Sequence, residues 1–157
     1  MTDTPLDKLD WIDGLIQLME SQDGIVRALD AIAPEQASCI AAGQVDTLLV
    51  ILARRQELVE SLLSTQASLT TMTRNLEERL AGVSAGKRDR VHELMDSVDR
   101  TMQSVLARDE EDRAQLQEQR DAVRGGLSEL DAGRRARHGY QATPQAGETH
   151  RFADARG

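Results

Sequence analysis

Histidine, cysteine and clustered carboxylates supply many of the general bases and metal ligands in proteins, and some of the nucleophiles. In this chain they stand apart from one another. His92, His138 and His150 are scattered, and no two have the helical spacing that lets a pair of imidazoles share a metal. Cys39 is the only cysteine, so it has no second thiol for a zinc pair or an internal disulfide. There is no GxxxxGK[ST] phosphate loop, and Gly125 and Gly126 in RGGL match no nucleotide fingerprint. The acidic run Asp109 to Asp112 reads as a helix face, not a metal site. The expectation is a protein without catalytic residues, metal or cofactor, one that binds rather than an enzyme.

A different use of charge lies in residues 43–63, GQVDTLLVILARRQELVESLL. Leu48, Leu49, Ile51, Leu52, Leu58, Val59, Leu62 and Leu63 recur in pairs at helical spacing, with Arg54 and Arg55 in the middle of the stripe. A turn near residue 85 brings the segment around residue 115 to the same height. There Asp109 and Asp112 stand where the pattern of Val105 and Leu116 calls for apolar side chains. The spacing predicts a charged layer, with Arg55, or its neighbour Arg54, near Asp109 or Asp112. Such a layer adds little net stability, because desolvation offsets attraction. It fixes register, because a slipped alignment buries unpaired charge.

The elements that position this layer are helices. Aromatic residues are only 2% of the chain (Trp11, Tyr140 and Phe152), while 29% are charged and 39% hydrophobic. That balance suits long helices packed through aliphatic side chains. Ile12, Met19, Val26, Ala33 and Ile40 are spaced by sevens, with Leu15, Ile16, Leu29 and Ile32 beside them. This heptad stripe over about 9–42 is interrupted by Gln22 and Asp23. Its phase continues across Pro34, which favours a kinked helix over a break. Gly43 marks a stop and Asp46 is the expected N-cap of a second helix over 46–81, which ends near Gly82 to Gly86. A third helix over about 87–133 carries Val91, Leu94, Met95, Val98, Met102, Val105, Leu106, Leu116, Val123, Leu127 and Leu130. The predicted fold is all-α: an elongated, antiparallel, coiled-coil-like three-helix bundle over 1–133, followed by a flexible tail over 134–157.

Charge divides along the same line. Residues 1–133 hold 14 Lys/Arg against 25 Asp/Glu, a net −11, whereas residues 134–157 hold five Arg against Glu148 and Asp154, a net +3. An acidic body repels phosphates, so no nucleic-acid partner is expected. The acidic N-terminus MTDTPLDKLD does not read as a secretory signal. The longest strongly apolar run, Leu48 to Ala53, is far short of the roughly 20 residues that span a bilayer. A cytoplasmic protein without membrane insertion is the expectation.

At a rise of about 1.5 Å per residue the second helix measures roughly 54 Å and the third roughly 70 Å, so the third overhangs. Val123, Leu127 and Leu130 then lie at or beyond the bundle's end, with Gly125 and Gly126 among them as an expected hinge, and the stretch reads as an exposed apolar end or a frayed terminus. Met95 and Met102 read as core, with adaptability at a binding surface as the alternative use.

Three places resemble the FlgN family of flagellar export chaperones. AAGQVDTLLVILARRQELVESLL (41–63) is similar to the family's glycine-marked turn, repeated leucines and basic pair. SVLARDEEDRAQLQEQRDAVRGGLSEL (104–130) is similar to its third helix, acidic in the middle and apolar at the end. AGRRARHGY (132–140) places a tyrosine just after the last helix. The resemblance covers most of residues 9–140. It implies a cytoplasmic chaperone that binds the C-terminal segment of hook–filament junction (hook-associated) proteins and delivers them to the export gate. On that reading Val123, Leu127 and Leu130 are the client-binding candidates, and Tyr140 matches the tyrosine that docks on the gate's cytoplasmic domain. The competing readings are a structural coiled coil acting by homo-oligomerisation, and a chaperone for a different flagellar client.

Overall fold

The computed structural model describes residues 5–141, with side chains from Trp11 onward. The described residues are all-α, in four helices: α1 (Pro5–Ala42), α2 (Val45–Met72), α3 (Leu76–Leu80) and α4 (Ala85–Gln141). They divide into two units after Leu116, inside α4.

In the first unit, the α1 stripe forms the core. Ile12, Leu15, Met19, Val26, Leu29, Ala33 and Ile40 are all buried, none more than 4% exposed. One cluster joins Ile12, Leu15 and Met19 to Leu69, Leu80, Val91 and Leu94. A second joins Ile32, Cys39 and Ile51, with Leu48 and Leu58 packed against them. Pro34 lies inside α1, which runs through it as one helix. Ile32 and Ala33 are buried just before it, and their packing offsets the hydrogen bond that the proline cannot donate.

α1 ends in a Schellman turn. Gly43 takes a left-handed φ of 66°, its N–H donates to Ile40 O at 3.2 Å, and the Gln44 N–H donates to Cys39 O at 3.0 Å. A side chain at residue 43 meets no neighbour, so the positive φ alone selects glycine there. The N-cap of α2 is Gln44, not Asp46. The ladder has already begun, since the Leu48 N–H donates to Gln44 O at 3.0 Å. Asp46 therefore sits in the first turn, where the positive end of the helix dipole favours a carboxylate.

The second helix does not continue to residue 81. It stops at Met72, and Asn75 adopts φ 54°, ψ 38° before the five-residue α3. Asparagine tolerates this left-handed geometry better than other side chains that carry a Cβ. Thr65, Ser68, Thr70, Thr71 and Thr73 each donate a hydroxyl hydrogen bond to the carbonyl four residues back, which weakens a helix. Arg79 closes the break from the other side. Its Nη1 donates to Met72 O at 2.8 Å, and its guanidinium lies 3.9 Å from the centroid of the Trp11 ring.

The second unit, from Gln117, is helical to Gln141. The tail expected from residue 134 thus begins as helix. Arg134, Arg135, Ala136 and Arg137 are good helix formers, and Arg135 pairs with Asp131 at 3.6 Å one turn back. The glycines at 125, 126, 133 and 139 each weaken the helix by about 1 kcal/mol relative to alanine but do not interrupt it, so there is no break at the expected hinge. Residues 142–157, including His150 and Phe152, lie outside the described residues.

Candidate functional site

Two polar layers, each centred on a buried glutamine, cross the first unit, both built on one heptad position of α1. Leu15, Gln22, Leu29 and Gln36 are spaced by sevens. The leucines sit in the apolar core, and the two glutamines are buried as well. Gln22 Nε2 donates to Gln66 Oε1 at 2.7 Å. Gln36 joins the charged layer. Its Nε2 donates to Asp112 Oδ2 at 2.7 Å, its Oε1 accepts from Arg55 Nη1 at 3.3 Å, and Arg55 Nη2 donates to Asp109 Oδ2. Asp112 is 7% exposed and is met by this amide. Arg54 points outward and lies outside the network.

The structure therefore brings Arg55 and Asp109 together directly, and Arg55 and Asp112 together through Gln36. Sequence reasoning missed Gln36. The signal was available, because Gln36 repeats the phase of Gln22 fourteen residues later. Among the described residues no buried side-chain nitrogen or oxygen lacks a hydrogen bond, as a register-fixing layer requires.

A ladder of polar pairs joins α1 to the first half of α4: Lys87 Nζ to Asp13 at 2.7 Å, Arg90 to Glu20 at 3.1 Å, Ser97 to Asp23 at 2.6 Å and Ser104 to Asp30 at 3.1 Å. Asp23 is the electrostatic centre of this ladder. Burial pushes its carboxyl up. Hydrogen bonds from Ser97 and Arg27, with the positive charges of Arg27 and Arg90, outweigh burial and hold it below its ordinary value of 3.8. Beside the ladder an open cleft of about 760 Å³ is lined by Met19, Gln22, Gln66, Leu69, Met95 and Val98, among others. Met95 is exposed there and Met102 is half-buried, so neither belongs to the closed core.

The second unit carries the remaining candidates. Val123, Leu127 and Leu130 follow one another at i, i+4 and i+7 on α4 and are 63%, 61% and 67% exposed. Tyr140 is 87% exposed and sits in the last turn of α4, not after it. Among the described residues no three His, Cys, Asp or Glu side chains are placed to hold a metal ion together, and no described helix is long and apolar enough to cross a membrane. No known family model, curated protein or solved structure matches this chain.

Proposed function

We propose that this chain is a cytoplasmic export chaperone, not an enzyme. It binds the C-terminal segment of flagellar hook–filament junction proteins, keeps them soluble and delivers them to the flagellar type III export gate. The observation that carries this reading is the exposed apolar row Val123, Leu127 and Leu130 on a helix that also bears the exposed Tyr140. An amphipathic client helix lays its apolar face on such a row, and the same row lies in the segment that resembles the FlgN family. Tyr140, amid Arg134, Arg135 and Arg137, is the contact assigned to the gate's cytoplasmic domain.

The scaffold in this proposal is an antiparallel up-down-up three-helix bundle, with α2 and α3 together as its middle member. Residue offsets support it. Partners on α1 and α4 keep separations of 70 to 76, which suits helices running in one direction. Partners on α1 and α2 close from 44 residues apart at Gln22–Gln66 to 19 at Gln36–Arg55, which suits opposed helices.

Calorimetric titration of the full chain with C-terminal segments of its organism's junction proteins tests the function. The expected result is micromolar or tighter binding with a negative heat-capacity change. Substituting Ser for Val123, Leu127 and Leu130 together abolishes binding with helicity nearly intact, because none of the three is buried. A structural, homo-oligomerising role is the second reading, favoured by the exposed Val45, Leu49, Leu52 and Leu63 of α2. A stable dimer in sedimentation, with no binding to any junction segment, selects it instead.

A further inference from the structure

The apolar row of the second unit is bracketed by like charge. At about 100° per residue, Arg120, Val123, Leu127, Leu130, Arg134 and Arg137 fall within about 100° of the α4 circumference. All six are exposed. The carboxylates of the same stretch are placed elsewhere. By helical phase Glu118, Asp121 and Glu129 lie on the other side of the helix. Asp121 accepts a hydrogen bond from Gln117 Nε2 at 3.1 Å, and Asp131, at the border of the row, pairs with Arg135 at 3.6 Å. Arg120, Arg134 and Arg137 make no ion pair among the described residues.

This pattern selects against a second copy of the same helix. A parallel copy sets each arginine against itself, and an antiparallel copy centred on Leu127 sets Arg120 against Arg134. Like charges facing one another across a helix pair are repulsive. The complement is a helix with an apolar centre and negative ends.

We propose that this face takes an amphipathic helix whose apolar centre is bracketed by carboxylates 14 to 17 residues apart, about 21–26 Å along the axis. The inference rests on the client-binding reading above and specifies the chemistry of the client segment. The apolar row supplies capture. The arginines select among apolar segments, which hydrophobic burial alone does poorly because it is non-directional.

The test uses the full chain and three synthetic amphipathic helical peptides that share one leucine face and carry Glu, Gln or Lys at the two bracketing positions. At low salt the Glu peptide is expected to bind about tenfold more tightly than the Gln peptide, and the Lys peptide more weakly still. The Glu advantage should shrink at high salt, as exposed pairs do. The variant carrying Arg120→Glu, Arg134→Glu and Arg137→Glu should invert the order of the Glu and Lys peptides. If that variant fails to fold, the peptide series on the unaltered chain still decides. Equal binding of Glu and Gln peptides, with both lost on Val123→Ser, Leu127→Ser and Leu130→Ser, overturns the charge selection and leaves apolar capture standing. No binding of any peptide overturns both. Tighter binding to phosphatidylserine vesicles than to the Glu peptide, lost in the Arg→Glu variant, assigns the face to a lipid surface and overturns the proposal.

Discussion

Two stretches of this protein carry similarly spaced aliphatic rows and meet opposite fates. In α1 the row through Ile12, Leu15 and Met19 is at most 4% exposed. On α4 the row through Val123, Leu127 and Leu130 is over 60% exposed. Periodicity determines which side chains share a face, but it does not determine whether a partner covers that face. The α1 row has Leu69, Leu80, Val91 and Leu94 against it. The polar residues near each row differ too. On α1 they are buried glutamines, each hydrogen-bonded to a neighbouring helix, and on α4 they are solvent-exposed arginines.

The sharpest way to break the comparison is truncation in each row. Leu15→Ala should cost about 2–5 kcal/mol and lower the thermal midpoint markedly, because it opens a cavity in a closed cluster. Leu127→Ala should stay within about 0.5 kcal/mol in the same denaturation experiment. Similar losses at the two positions would mean that the α4 row is covered in solution.

The polar layers sharpen it further. Gln36→Leu removes the donor to the buried Asp112 and an acceptor of Arg55, and should destabilise by about 1–3 kcal/mol despite adding apolar bulk. Arg55→Glu should also destabilise, and Asp109→Arg in the same chain should restore part of the loss. A double-mutant cycle in urea measures that coupling, and zero coupling would remove the pair from the account of register.

The smallest effect expected is at Asp23. Its folded-state carboxyl titrates below 3.8, so it contributes stability that is fully present above the unfolded value and is lost as pH falls through the lowered folded one. Unfolding measured from pH 6 downward should show stability falling more steeply with acid in the parent than in Asp23→Asn. Identical slopes would contradict the ladder's electrostatics.

Most of the helical organisation is legible in the residues, for identifiable reasons. The sevenfold spacing marks α1, and the glycine that takes the left-handed turn marks its end. Counting outward from the turn near residue 85 puts Arg55 opposite residues 109–113, and the structure pairs it with Asp109. The break at residues 73–75 is not legible, because Leu69, Met72, Leu76 and Leu80 keep helical spacing across it. Hydrophobic phase is insensitive to a single residue that leaves the helical region of backbone space. Gln36 was hidden by its chemistry, since a neutral amide two residues after Pro34 reads as surface until its phase is compared with that of Gln22. The last helical turns, to Gln141, were masked by glycines whose local penalty the neighbouring arginines and alanine offset.

The contact between Arg79 and Trp11 has a spectroscopic consequence. Trp11 is the chain's one tryptophan, packed against the cluster where α1, α2, α3 and α4 meet, with a cation over its ring. Indole emission therefore reports the opening of that end alone, including release of the Asn75 turn through Arg79. Circular dichroism sums over every helical residue, those after Leu116 among them. A fluorescence melt and a dichroism melt of the same sample are thus two separate thermometers, and the gap between their midpoints measures how independently the two units unfold.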